Sequence, residues 1–252
     1  MPWLTVVHCF NHRFELAIKD AFSGTFFDEI DTFLVKLFYL YNKSSKRLRE
    51  LRDFCEIYEK SIPKPAKVGG TRWIAHKFRA MAIALENYGA FVSHLESLAH
   101  TDSQSLKKAE IEGFAKKLKY AKFPLHLAIY LDVLTPLKVL SVSMQKDEHD
   151  PVTMLRRVQE FNWTMVKLKA LVSSSLDGSS SRLTNYTKFI KEVSEDENEN
   201  KVYQHVKLKE FHSSKSALEG SLDEIITRLC RSVEERFGDL TVSPRTLSIC
   251  TI

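Results

Sequence analysis

The residues of this chain whose types and spacing could do chemistry cluster in its first third. Cys9 and His12 stand in a C-x-x-H spacing, which sets a thiol and an imidazole about one helical turn apart. Such a pair can supply half of a zinc site or form a thiol beside a hydrogen-bonded histidine. A structural zinc needs four ligands, and no further C-x-x-C or H-x-x-H pair occurs to complete it. Cys55 and His76 would have to be brought in by the fold. We therefore assign no metal and no cofactor, and read Cys9 and His12 as a buried thiol with its histidine. Trp73 is the second candidate. An indole offers a flat face on which an unpaired base can stack, worth about 1–3 kcal/mol, and Arg72 beside it can reach a phosphate. The competing role is plain packing at the start of a helix. The third candidate is charge. Eleven Lys/Arg face four Asp/Glu between Lys43 and Arg79. Arg47, Arg49, Arg52, Lys64, Lys67 and Arg72, with Trp73, are the expected nucleic-acid contacts, and a solvated helix face is the bland alternative.

Catalytic patterns are missing from the sequence. No nucleophile–histidine–acid constellation is visible. Gly69-Gly70 lacks the surrounding residues of either phosphate-binding glycine loop. Asp20, Asp28, Glu29 and Asp31 read as first-turn and surface acids rather than metal ligands.

The elements that must position these residues follow from periodicity. Trp3–Val7 is short and β-branched, as a buried strand is. Phe14, Ala17, Ile18 and Ala21 then recur at helical spacing, and Ser23-Gly24 ends that helix. A broad apolar face over residues 26–41 (Phe26, Ile30, Phe33, Leu34, Leu37, Phe38 and Tyr41) predicts a second helix with Asp28, Glu29 and Asp31 in its first turn. Ser44 or Ser45 can cap a third, with Leu48, Leu51, Phe54, Cys55 and Tyr58 inward. The prolines and glycines of Ile62–Gly70 make a loop, after which Thr71 can cap the next helix. Ile74, Phe78, Met81, Leu85, Tyr88, Val92 and Leu95 alternate four and three apart, which predicts one unbroken helix of about 25 residues. A turn over 100–105 and a lysine-rich helix precede an apolar helix over 121–145, where Pro124 suits the first turn and Pro136 should kink it. Asp150-Pro151 reads as an N-cap and first residue, followed by a stripe of Val152, Leu155, Val158, Phe161, Met165, Leu168 and Val172. Residues 173–181 are a serine-rich linker, 183–193 helical, and 195–201 mobile. The last helix is expected to begin at Ser216, with Glu219 completing a capping box. Leu218, Leu222, Ile225, Leu229, Val233 and Phe237 form its apolar stripe, and 241–252 has no period.

Composition sets the bounds. The chain has 252 residues, 44% hydrophobic and 11% aromatic, with eight glycines and seven prolines. That is enough apolar material for a substantial core, with too few breakers for an all-β fold. The net charge is +5 and the pI about 8.9, offset locally by the acidic run Glu192–Glu199. Four cysteines without paired spacing suit a reducing compartment, nuclear or cytoplasmic, and no signal peptide is apparent. Phe123–Met144 carries His126, Asp132, Lys138 and two prolines, which favours a buried core helix over a membrane span.

Cys9-Phe10-Asn11-His12-Arg13, with Glu15-Leu16-Ala17 and Lys19-Asp20-Ala21 after it, resembles the C-x-x-H segment of hAT-superfamily (hobo–Activator–Tam) transposases. The nearest likeness is to the vertebrate transposon-derived proteins of the zinc finger protein 862 type. Gly69-Gly70-Thr71-Arg72-Trp73 is similar to the T-R-W segment that opens the helical insertion of those enzymes. Cys9, His12, Thr71, Arg72 and Trp73 are thus the family-motif residues. The resemblance is close over roughly residues 1–80 and architectural beyond. It implies a mainly α fold: a remnant of an RNase H-like domain over 1–24, a helical insertion-like domain over 25–240 and an irregular tail over 241–252. It also implies a role for Trp73 beside a flipped base. In the family, three acids hold two metals, the first two lying upstream of the C-x-x-H. Here Met1–His8 contains no acid. The third acid belongs to an E-R-x-F-S-like segment, and Glu234-Glu235-Arg236-Phe237-Gly238 is only an echo of it, better read as the end of an amphipathic helix. The expectation is a transposase-derived module without enzymatic activity. It would bind DNA weakly and non-specifically or bind nuclear proteins, avoid membranes, and self-associate through the N-terminal strand. The alternatives are a fragment of a functional transposase, and a chromatin or SUMO-pathway adaptor that does not bind DNA.

Overall fold

The computed structural model describes residues 10–57, 73–101, 108–144, 151–172, 176–177, 179 and 182–241. The expectations for Trp3–Val7, Cys9, Tyr58, the Ile62–Gly70 loop, Lys64, Lys67, Thr71, Arg72, Asp150 and 242–252 lie outside the described residues. The protein is mainly helical. Among the described residues there are ten helices: α1 (Phe10–Phe22), α2 (Phe26–Asn42), α3 (Ser45–Ile57), α4 (Trp73–Glu86), α5 (Tyr88–Thr101), α6 (Lys108–Leu118), α7 (Lys122–Ser143), α8 (Pro151–Val172), α9 (Thr184–Glu192) and α10 (Phe211–Thr241). Three short strands, β1 (Ser194–Glu195), β2 (Lys201–Tyr203) and β3 (Val206–Lys207), form one antiparallel sheet in that order.

The centre is α7. It is apolar on every side, and every residue from Phe123 to Leu134 is buried. It alone among the described helices is long and apolar enough to cross a membrane by length and composition, and most of it lies inside the fold. α4, α8, α9 and α10 pack around it. The helix runs through Pro136 as one element. α1 lies along α10, with its predicted stripe of Phe14, Ala17, Ile18 and Ala21 buried. Arg13 sits 5.0 Å over the Phe237 ring and donates to the Arg236 carbonyl, while Arg236 pairs with Asp20. Gly24, at φ +72°, turns the chain between α1 and α2, and the Thr25 hydroxyl accepts from Phe27 N at 3.2 Å to start α2. Ser44 Oγ accepts from Arg47 N at 3.3 Å and caps α3.

Three expectations need correction. The helix predicted to run unbroken for about 25 residues divides at Asn87 into α4 and α5. Its apolar stripe continues across the break, which is why the pattern hides it. The physical reason lies 115 residues on. The β2–β3 turn places Gln204 and His205 at φ +44° and +66°, and drives the Gln204 amide into the helix. Gly89 N donates to Gln204 Oε1 at 3.0 Å, and Gln204 Nε2 donates to Leu85 O and Glu86 O, both at 3.2 Å. The amide thus bridges Leu85 O and Gly89 N, which an unbroken helix would bond directly. A Cβ at Gly89 would overlap the Gln204 backbone oxygen.

The acidic stretch expected to be mobile is a structured hairpin. Asp196 Oδ1 accepts from Asn198 N and Asn200 N, both at 2.9 Å, and Asp196 pairs with Lys207 at 2.7 Å. These bonds hold the Asp196 carboxyl well below the usual carboxylate range, led by the Lys207 hydrogen bond. The last helix begins at Phe211 rather than Ser216. Ser216 lies inside it and donates to His212 O at 3.0 Å, so it caps nothing.

α9 starts on a carboxylate from another helix. Asp132, buried in mid-α7, accepts from Asn185 N at 2.9 Å and Asn185 Nδ2 at 2.7 Å through Oδ1, and from Tyr186 N at 2.9 Å through Oδ2. It replaces the side-chain cap that Leu183 cannot supply. Burial still raises its pKa, against the pull of those bonds. We predict that Asp132→Ala lowers unfolding free energy by about 3 kcal/mol, from lost capping and orphaned donors, and that Asp132→Asn loses less. Urea titration followed by circular dichroism measures both.

His126 is buried with Nδ1 2.7 Å from Lys122 O and Nε2 unbonded. Burial drives its pKa from 6.5 to about 4. Between those values the unfolded chain binds more protons than the folded one, so the stability contribution is complete above pH 6.5 and falls as pH drops to 4. The total is about 3 kcal/mol at 1.36 kcal/mol per pKa unit. Urea unfolding at pH 7, 6 and 5 should therefore show the gap between the parent and His126→Phe widening against the parent.

Candidate nucleic-acid interface

The arginines assigned from the sequence divide between two environments. α3 seats its Leu51 and Cys55 side against α2 and α5. Arg49 and Arg52, three apart, stand exposed away from Leu51, with Lys46 another three residues back, and they share the outer surface with exposed Asp53 and Glu56. Lys46 pairs with Glu50 at 3.7 Å. No ion pair engages Arg49 or Arg52 among the described residues. Arg47 is half-buried and faces a different neighbourhood: its charge acts on Tyr41 and His94. The structure therefore brings Arg49 and Arg52 together and sets Arg47 apart.

Behind α3 lies a buried tyrosine–histidine pair, with the half-buried Glu50 beside it, that periodicity did not reveal. Tyr41 OH is 2.9 Å from His94 Nδ1, and His94 Nε2 is 3.5 Å from Glu50 Oε2. The Phe54 ring lies 5.4 Å from the imidazole. Burial lowers the His94 pKa, partly opposed by the neighbouring Glu50 carboxylate, and burial pushes Tyr41 far above the ordinary phenol range. The hydrogen bond ties α2 to α5, and α3, which carries Arg49 and Arg52, brings Glu50 within 3.5 Å of the imidazole. A polar His at position 94, beside Leu95 in an apolar run, was the only signal in the sequence.

Trp73 opens α4, on a different part of the fold from α3. Its backbone N–H donates to Glu15 Oε2 at 3.3 Å. Its half-buried ring centres 5.7 Å from Phe27 and 6.4 Å from Phe22, with Lys77 Nζ 5.5 Å above it. Lys77 is itself buried and paired with Asp31; burial lowers its pKa to about 8. Trp73 is thus a packing residue in the Phe22–Phe27–Tyr130 aromatic group, with part of the indole reaching solvent. α4 packs on α7 and α2.

His12 lies exposed in the first turn of α1. Among the described residues, no three His, Cys, Asp or Glu side chains converge as metal ligands would, and the free cysteines are Cys55, buried, and Cys230, half-buried. Glu234–Gly238 falls within α10, with Phe237 buried, as the amphipathic reading requires. No family model matches the chain, and no solved structure matches it.

Removing the indole leaves a gap beside Phe22 and Phe27. Trp73→Ala should lower stability by about 2–3 kcal/mol, less than a fully buried aromatic would, read as a fall in the urea midpoint at unchanged slope.

Proposed function

We propose that this chain is a transposase-derived helical module, without strand-transfer activity of its own, that holds nucleic acid through its phosphates. The family part of this reading rests on the C-x-x-H and T-R-W resemblance. The observation that carries the binding part is the exposed Lys46, Arg49 and Arg52 of α3, a helix seated on α2 and α5 through Leu51 and Cys55. Cations on a rigid helix can neutralise several phosphates without reading bases, so affinity is weak, tolerant of sequence and steep in salt. Trp73 serves the fold first. Only the solvent-reaching part of its ring is left for an unpaired base.

A second reading, a protein adaptor in the nucleus, is favoured by one observation. Trp163 and Val166 stand exposed three residues apart on α8, where an apolar patch suits a protein partner.

Titration of duplex and hairpin oligonucleotides at several salt concentrations tests the first reading. Arg49→Ala with Arg52→Ala should reduce the slope of log K against log salt by about one per lost contact. Trp73→Ala should weaken hairpin more than duplex. An unchanged slope in the double variant would remove α3 from the interface.

A further inference from the structure

α8 carries two apolar stripes where its place in the fold needs one. Phe161, Leu168 and Leu171 are buried on the side held by α7 and α10. On the outer side Trp163 is 67% and Val166 60% exposed. Trp163 is the most exposed of the described Phe, Tyr and Trp side chains. Exposed Gln159 and half-buried Ala170 extend the outer row. Gln159, Trp163, Val166 and Ala170 follow one another four, three and four apart, the spacing of a seam between two paired helices. Arg182 bounds the row at its far end, donating to Ala170 O at 3.3 Å. The two edges of the seam differ. Half-buried Glu160 and exposed Lys167 lie along one, exposed Asn162 and Lys169 along the other. Glu160 lies 4.0 Å from Arg156, a surface pair worth little, which leaves its carboxylate open to a second cation. Lys167 has no ion-pair partner among the described residues.

We propose that this row is the contact face for a second copy of the chain, the two α8 helices lying antiparallel about a twofold axis near Trp163 and Val166. Antiparallel pairing sets Trp163 against the partner's Val166 and Gln159 against the partner's Ala170, a larger residue over a smaller one in each layer. Like edges of the seam then meet. Glu160 faces the partner's Lys167, and Asn162 faces the partner's Lys169. The contact is isologous, so each pair occurs twice. Parallel pairing would join unlike edges, bringing Lys167 to the partner's Asn162 and giving Glu160 no cation. Charge complementarity thus selects the antiparallel arrangement, and with it a second copy as the occupant. A seam of about three turns from one helix is small against the roughly 1,200–2,000 Å² that stable complexes bury, so the dimer is weak and forms as concentration rises. It is independent of nucleic-acid binding at α3, and it gives the α8 patch an occupant other than a nuclear protein.

Sedimentation equilibrium of the full chain over about a hundredfold range of concentration should show the mass rising from monomer toward dimer. Trp163→Ser, at an exposed position, should leave the melting temperature unchanged and hold the chain monomeric. Glu160→Lys and Lys167→Glu each set like charges against one another twice, and each alone should weaken self-association about tenfold. Mixed in equal amounts, these two variants should pair at parental strength, because every reversed charge then meets its opposite. That arm decides the matter even if Trp163→Ser fails to fold. A strict monomer at every concentration overturns the proposal and leaves the α8 patch to the nuclear-protein reading. Self-association undiminished by Trp163→Ser also overturns it, as does a mixture that pairs no better than either variant alone.

Discussion

A helix that is apolar all the way round must be surrounded, and α7 imposes that constraint on the whole protein. Every face of Phe123–Leu134 has to be removed from water, so amphipathic helices with single stripes are drawn around it: α4, α8, α9 and α10 foremost, with α1, α2 and α6 also in direct contact. Burial on all sides also leaves nowhere for a polar group to escape. Asp132 and His126 are therefore committed to partners inside the fold or go without. Asp132 finds the frayed start of α9, and the cap and the buried carboxylate satisfy each other. His126 finds only Lys122 O and keeps its imidazole neutral.

The small β-sheet solves a different problem. A hairpin turn with two non-glycine residues at positive φ carries strain, and here the strained Gln204 is the residue whose amide joins the ends of α4 and α5. The interaction runs both ways. The helix break accepts the turn because Gly89 has no side chain, and the turn supplies the hydrogen bonds that the break removes. Tyr203 OH, bonded to Leu85 O at 3.1 Å, strengthens the same junction.

Charge is distributed by element. α3 exposes Lys46, Arg49 and Arg52 alongside Asp53 and Glu56. The acidic face belongs to the hairpin, where Asp196 and Glu195 are held by Lys207 and Lys201. Net charge alone conceals how these charges are divided among the elements.

The sequence by itself determined the helical class, the inward stripes of α1, α2 and α10, and the buried character of α7, because period and composition are local and each stripe reports its own burial. It also placed Arg49 and Arg52 three apart on an outward face. Tertiary structure alone decided the rest. The apolar pattern from Ile74 to Leu95 is uninterrupted, so nothing local announces a break; Asn87 and Gly89 matter only because Gln204 arrives from a distant turn. Pro151 marks the start of α8, but α9 begins at Thr184 on a carboxylate from α7, which no nearby residue foretells. Ser216 and Glu219 have the spacing of a cap, yet Ser216 lies inside a helix that starts at Phe211, since packing extends a helix past a plausible local start. Trp73 had two readings on type and spacing. Its contacts with Phe22, Phe27 and Lys77 make it part of the packed aromatic group, because whether an indole faces a core or solvent is set by the elements that meet it.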